Sequence, residues 1–142
     1  MGAFNDELVF IVDDDEPVRD SMKVLLEACR LRVRDYASCR DFIDDFDGEE
    51  GCLLLDLHLP VMSGLEFLEK YGDQLGKMPV IMVTGRGDPE TFARARKMGV
   101  SAILEKPFED EALLDTIRQL LPNAAPGAAG GGTGLGSHHG HV

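Results

Sequence analysis

The chain has 142 residues, with 14 Lys and Arg against 26 Asp and Glu, a formal net charge of −12 and a pI near 4.6. This acidic balance argues against direct attraction to nucleic acid phosphates or to anionic lipid. Every Lys, Arg, Asp and Glu precedes position 122, whereas the last 21 residues hold 7 of the 16 glycines. We therefore expect one domain over residues 1–121, followed by a flexible Gly/Ala-rich tail over residues 122–142.

The lack of membrane and secretion signals and the positions of the cysteines both favour a soluble intracellular protein. The sequence has no run of 18 apolar residues, and its first residues have neither the basic segment nor the hydrophobic stretch of a signal peptide. These features predict a soluble, cytoplasmic protein with no membrane contact. Cys29, Cys39 and Cys52 lie inside apolar periodic segments and not at metal-ligand spacing, so we interpret them as small buried hydrophobic residues.

Apolar runs of strand length alternate with segments of helical periodicity. In chain order the predicted elements are a strand at 8–12, a helix at 17–29, a strand at 31–36, a helix at 38–46, a strand at 52–55, a helix at 63–75, a strand at 80–83, a helix at 88–98, a strand at 102–104 and a helix whose inward face covers 113–121. Pro17 suits a first helical turn, Ser38 is a good N-cap and Gly99 is a stop signal. The second strand alternates charged and apolar residues, which is typical of a half-covered edge strand.

This alternation predicts an α/β fold in which a parallel sheet is covered by helices on both faces. Ligands bind such sheets beyond the carboxyl ends of the strands. The polar residues predicted at those ends are Asp13, Asp14, Asp15, Asp56, Thr84 and Lys106.

Carboxylates gathered at neighbouring strand ends predict a cation site. Each adjacent pair would repel by about 4 kcal/mol at an effective dielectric constant near 20. Mg²⁺ would offset this repulsion, since it prefers hard carboxylate oxygens and completes its shell with water and phosphate oxygens. A carboxylate can also attack phosphorus to form an aspartyl phosphate, and Thr84 and Lys106 would then hold the phosphoryl oxygens.

Four segments carry a resemblance to a known family. They are VFIVDDDEPVR at 9–19, DLHLPVMSG at 56–64, VTGRGD at 83–88 and EKPF at 105–108. Together they resemble the receiver domain of two-component response regulators, in its FixJ-like variety, over residues 7–121. The resemblance implies a five-stranded, doubly wound, flavodoxin-like sheet with strand order 2-1-3-4-5 and helices on both faces.

The resemblance also implies the chemistry of the site. Asp56 would accept a phosphoryl group from a sensor histidine kinase or a phosphotransfer protein, and Thr84 and Lys106 would grip its oxygens. The cofactor would be Mg²⁺, bound directly by Asp14 and mostly through water by Asp13. The metal ligands implied are Asp13, Asp14, Asp56 and the main-chain carbonyl of His58. The chain would catalyse only its own phosphorylation and dephosphorylation, so it would not be an enzyme with an external substrate.

Further family features concern the partner surfaces. Kinase contacts are implied around the first helix, at Pro17, Val18, Ser21 and Met22. A homodimer is implied through the face of the fourth helix, fifth strand and fifth helix, where Arg86, Arg94, Arg96 and Lys97 form either a partner surface or a solvated helix face. The switch position, commonly Tyr or Phe in the family, is Ile103 here, and Arg86 and His58 occupy positions that tune phosphoryl lifetime.

Three alternatives remain beside this interpretation. One is a haloacid-dehalogenase-type phosphatase with Asp13 as nucleophile, which requires a further acidic pair after Lys106 and leaves Asp56 without a role. Another is a degenerate receiver used only for docking. The third is a stand-alone receiver that drains phosphoryl groups from a kinase. The chain would otherwise be the N-terminal part of a longer regulator that continues into a DNA-binding domain.

Overall fold

A computed structural model of the chain describes residues 7–85 and 87–121. The predicted tail, with its three histidines, and Arg86 lie outside the described residues. The strands are β1 (Leu8–Val12), β2 (Arg32–Tyr36), β3 (Cys52–Asp56), β4 (Val80–Thr84) and β5 (Ala102–Glu105). The helices are α1 (Glu16–Ala28), α2 (Cys39–Asp45), α3 (Gly64–Tyr71), α4 (Pro89–Lys97) and α5 (Asp110–Leu120).

The five strands form one parallel sheet in the order β2-β1-β3-β4-β5, which confirms the predicted fold class and strand order. Every residue of β1, β3 and β4 is buried, whereas β2, at an edge, is half-buried to exposed, as its alternating sequence predicted. The register pairs Asp56 with Val83 and Thr84 with Glu105. The carboxyl ends of β3, β4 and β5 therefore lie side by side.

Helices cover both faces of the sheet. Because successive strand residues point to opposite faces, each strand contributes to two hydrophobic layers. One layer packs against α1 and α5 through Met22, Leu26, Leu113 and Ile117. The other packs against α2, α3 and α4 through Phe42, Leu65, Phe67 and Ala95. No helix within the described ranges has both the length and the apolar content needed to cross a bilayer.

Side-chain hydrogen bonds cap the N-termini of α1, α2, α3 and α4, whereas α5 begins without one. The side chain of Asp15 accepts a hydrogen bond from the N–H of Val18 at 3.2 Å and begins α1. Ser38 caps α2, and Ser63 forms a reciprocal capping box with Glu66 at the start of α3. The predicted start signals are therefore confirmed.

Two details differ from the sequence prediction. The third helix was expected to reach Leu75, but α3 ends at Tyr71 and residues Gly72–Leu75 form a tighter 3₁₀ turn that still buries Leu75. Gly72 has the low helix propensity that favours this change. Cys39 and Cys52 are buried as predicted, whereas Cys29 follows the last turn of α1 and is only half-buried.

Candidate functional site at the carboxyl edge of the sheet

Three carboxylates meet where β1 and β3 end. Oxygens of Asp13, Asp14 and Asp56 all lie within 4.8 Å of one another. Asp13 is 1% exposed and Asp56 is 6% exposed, whereas Asp14 faces solvent. This hard-oxygen donor set, buried on one side and open on the other, fits a divalent cation that keeps part of its water shell.

Lys106, which directly follows β5, reaches back over the end of β4 to the acids. Its Nζ lies 3.2 Å from Oδ2 of Asp13 and 3.5 Å from Oδ2 of Asp56. Burial lowers the pKa of Lys106, but the charges of Asp56 and Asp13 outweigh it, and the pKa is raised overall. The ammonium group therefore stays protonated and offsets part of the carboxylate repulsion.

The charge of Asp56 is only partly compensated by its surroundings. Burial raises its pKa, and the nearby charge of Asp13 raises it further. The main-chain N–H of His58, 3.0 Å from Oδ1, and the ammonium of Lys106 act in the opposite direction without cancelling the rise. The ionised form of Asp56 thus carries a free-energy cost that an added cation would reduce.

Thr84 and His58 complete the surroundings of Asp56. Thr84 ends β4 and is fully buried, and its carbonyl accepts a hydrogen bond from the N–H of Lys106 at 2.7 Å. His58 is exposed on the loop after β3. Above these residues a concave pocket of about 460 Å³ is lined by Asp56, His58, Gly85 and Lys106. The structure thus places Asp13, Asp14, Asp56, His58, Thr84 and Lys106 at one edge of the sheet, whereas Asp15, the other predicted strand-end acid, caps α1.

A glycine lets the loop after β3 lie close to the main chain of Asp56. A Cβ at Gly64 would lie 2.7 Å from the main-chain oxygen of Asp56. The N–H of Gly64 also donates to the carbonyl of Leu57 at 3.0 Å. A side chain at position 64 would therefore push the loop away from the end of β3.

Arg19 is a site neighbour that the sequence analysis did not single out. Its Nη1 donates to the main-chain carbonyl of Asp13 at 2.7 Å, and its Nε donates to Oδ2 of Asp35 at 2.9 Å. Its position one turn into α1 could have predicted this contact. Side chains of a helix point back towards its N-terminus, which here lies at the end of β1.

The predicted switch residue and the basic residues of the predicted dimer surface lie on or near α4 and β5. Ile103 is half-buried and packs against the layer that contains Ala95 of α4. Arg94, one of the basic residues of α4, lies 3.6 Å from Glu69 of α3, so part of this basic group is engaged within the domain.

The acidic pair that the phosphatase alternative requires is not part of the cluster. Glu109 stands at the N-cap position of α5, and Asp110 and Glu111 lie in its first turn. Within residues 7–85 and 87–121, the metal-type cluster is formed by Asp13, Asp14 and Asp56 instead. Asp56, which that alternative leaves without a role, is thus in the centre of the site.

Comparison with known proteins identifies the family. The response regulator receiver domain matches residues 9–118. The chain is 37% identical over 118 residues to the transcriptional regulatory protein FixJ of Azorhizobium caulinodans, covering 82% of this chain and 56% of that protein. It is 36% identical over 118 residues to the transcriptional regulatory protein TdiR of Thauera aromatica, covering 82% and 52%. The chain thus spans about half the length of these relatives.

Solved structures agree with this assignment. The response regulator StyR superposes with a TM-score of 0.76 at 37% identity, covering 84% of this chain and 61% of that one. Full-length FixJ from B. japonicum gives a TM-score of 0.76 at 32% identity, covering 87% and 61%. The chain therefore belongs to the receiver domain family of two-component response regulators.

Proposed function

We propose that this chain takes a phosphoryl group from a sensor histidine kinase or a phosphotransfer protein onto Asp56, with Mg²⁺ as cofactor, and thereby switches a protein-interaction surface. One observation carries the proposal: the buried carboxylate of Asp56 lies within reach of Asp13, Asp14 and Lys106 beneath an open pocket. A carboxylate so placed is accessible to a phosphohistidine and surrounded by the groups that phosphoryl transfer needs.

The transfer is a displacement at phosphorus. An ionised oxygen of Asp56 forms the new P–O bond while the N–P bond of the phosphohistidine breaks and the imidazole leaves with the electron pair. Asp13, Asp14, Asp56 and the main-chain carbonyl of His58 would hold Mg²⁺, which when bound supplies positive charge for the phosphoryl oxygens. The chain turns over no external substrate.

Lys106 and Thr84 act on the transferred group. Lys106 Nζ, already between Asp13 and Asp56, is placed to pair with a phosphoryl oxygen once Asp56 is esterified. Thr84 ends the neighbouring strand and offers a hydroxyl at the same edge of the sheet. A shift of Thr84 towards the phosphoryl group would free space that Ile103 and α4 can repack, which makes the α4-β5-α5 face the proposed switch surface and homodimer contact.

The surface that receives the kinase is proposed at α1. Next to Lys106, the groove between α1 and α5 has a volume of about 430 Å³, and Val18, Met22, Leu25, Phe108 and Leu113 line it. An apolar groove that leads to the acceptor suits the helix that carries a phosphohistidine. The net charge of −12 supports a protein partner and argues against direct nucleic acid contact by this chain.

The test is phosphorylation with acetyl phosphate in the presence of Mg²⁺, followed by intact-mass measurement and peptide mapping. Wild type should gain one phosphoryl group on Asp56, and chelation of the metal should prevent the gain. Asp56→Asn is the matched control and should gain none. A phosphoryl group mapped to Asp13 would contradict the proposal and support the phosphatase alternative.

A further inference from the structure

The main chain of Asp13 is fixed on both sides. Its N–H donates to the carbonyl of Tyr36 at 3.1 Å, and its own carbonyl accepts from Nη1 of Arg19 at 2.7 Å. Its side chain accepts a further hydrogen bond from the N–H of Asp15 at 2.9 Å. The carbonyl belongs to the peptide group that joins Asp13 to Asp14, so its orientation sets the direction in which Asp14 leaves β1.

Arg19 reaches that carbonyl from a fixed anchor. Its Nε donates to Asp35 at 2.9 Å, just before the end of β2, and Lys23 also lies 3.5 Å from the Asp35 carboxylate. The Arg19 side chain is only 15% exposed. Because a guanidinium group is planar and rigid, its two bonds fix the carbonyl of Asp13 relative to β2.

We infer that Arg19 is a positioning residue for the divalent cation site, acting through the peptide group between Asp13 and Asp14. The inference rests on the proposed function, because it concerns the same Mg²⁺ site. Mg²⁺ demands near-ideal octahedral geometry, so a small rotation of this peptide would move a carboxylate out of place. Loss of an outer partner of a metal ligand typically weakens metal binding about 10- to 100-fold.

Electrostatics alone predicts the opposite change in cation affinity when Arg19 is removed. Arg19 is a positive charge beside a cation site, so its removal should strengthen cation binding if only charge matters. Removal should weaken binding if Arg19 orients a ligand. Ca²⁺ provides a second distinction, because it carries the same charge as Mg²⁺ but tolerates irregular geometry. A positioning role therefore predicts a selective loss of Mg²⁺ over Ca²⁺.

The experiment is calorimetric titration of the full chain with Mg²⁺ and with Ca²⁺, for wild type, Arg19→Gln, Arg19→Lys and Lys23→Gln. Arg19→Lys keeps the positive charge but loses the rigid, planar guanidinium group. Lys23→Gln removes a charge beside Asp35 without any bond to Asp13. We expect the Kd for Mg²⁺ to rise about tenfold or more in both Arg19 variants, with a smaller rise for Ca²⁺, and Lys23→Gln to bind like wild type.

Among folded variants, any other pattern of Mg²⁺ and Ca²⁺ affinities overturns the inference. If Arg19→Lys binds Mg²⁺ as tightly as wild type does, the planar guanidinium group is not needed. If the Arg19 variants lose affinity for Mg²⁺ and Ca²⁺ equally, the substitution causes a general structural defect. If Arg19→Gln does not fold, as checked by circular dichroism without metal, Arg19→Lys decides the question by its ratio of Mg²⁺ to Ca²⁺ affinity. Absence of Mg²⁺ binding in wild type would overturn the proposed metal site as well. Mg²⁺ binding in wild type without a selective loss in the Arg19 variants would overturn only the role of Arg19.

Discussion

The interior of the sheet and its carboxyl edge are built from the same strands but have opposite energetics. Phe10 in β1 and Leu54 in β3 are as deeply buried as Asp13 and Asp56 at the ends of those strands. Burying apolar surface stabilises the fold by about 25 cal/mol per Å², whereas burying a carboxylate is unfavourable unless it is paired. The apolar interior therefore holds together an edge that would not form for its own stability.

Weakening the apolar interior should change the free energy of unfolding more than any change at the edge. Phe42 is fully buried, and its ring lies 5.2 Å from the ring of Phe10 and 5.8 Å from that of Phe67, measured between centroids. Phe42→Ala should lower the free energy of unfolding by about 3–5 kcal/mol, because it removes buried apolar surface and leaves a cavity. Urea denaturation followed by circular dichroism measures this change.

Val24 provides the control for that prediction. It is an exposed apolar residue on α1, so Val24→Ala removes two methyl groups without opening a cavity. The free energy of unfolding should then stay within about 0.5 kcal/mol of wild type. Comparable destabilisation by the two variants would mean that burial does not account for the stability of the interior.

The next effect tests whether the edge depends on a cation. Mg²⁺ at a concentration of about 100 times its Kd should raise the free energy of unfolding by about 2.7 kcal/mol, because only the folded site binds it. Asp14→Asn should abolish most of this gain and should melt higher than wild type without metal, because it removes one of three neighbouring negative charges. Thermal melts of both proteins with Mg²⁺ and with a chelator provide the measurement. An unchanged Mg²⁺ response in Asp14→Asn would contradict the proposed ligand set.

The pH dependence of stability tests the cost of ionising Asp56. Burial and the charge of Asp13 raise its pKa in the folded protein. Asp56 therefore costs nothing below the ordinary carboxyl pKa of about 4, and wild type should lose stability relative to Asp56→Asn as the pH rises from there through the raised pKa. Each unit of pKa difference corresponds to about 1.4 kcal/mol.

Urea denaturation of wild type and Asp56→Asn at a series of pH values, with metal chelated, measures that difference. Above the raised pKa the gap between the two proteins should become constant. A gap that does not change with pH would mean that the folded protein ionises Asp56 as easily as the unfolded chain does.

The positions of the strand-end residues were predictable from sequence for a physical reason. Parallel strands that are buried on both faces read as continuous apolar runs, so the first polar residue after each run marks its end, as with Asp13 and Asp56. Register then brings such ends to one edge without further information. The contacts of Arg19 were not predictable in this way, because they depend on the rotamer of a long side chain and on the placement of Asp35 one strand away.

The smallest predicted effect concerns backbone strain at the edge. Val61, on the loop after β3, has φ of 69°, and its side chain is fully exposed. A left-handed conformation costs an L-residue about 1–2 kcal/mol, and a β-branched residue rarely adopts it. Glycine avoids this cost but loses about 0.5–1 kcal/mol through the greater entropy of the unfolded chain. Val61→Gly should therefore raise the free energy of unfolding by up to about 1 kcal/mol.

Val24→Gly makes the same chemical change at an exposed helical position, where glycine is the poorer helix former. It should lower the free energy of unfolding by about 0.5 kcal/mol, so the two variants should differ in sign in parallel urea denaturations. If Val61→Gly instead destabilised the chain as Val24→Gly does, the loop beside Asp56 would carry no strain. Stabilisation by Val61→Gly would mean that this edge holds an unfavourable backbone conformation as well as unfavourable buried charge, both maintained by the packing of the interior.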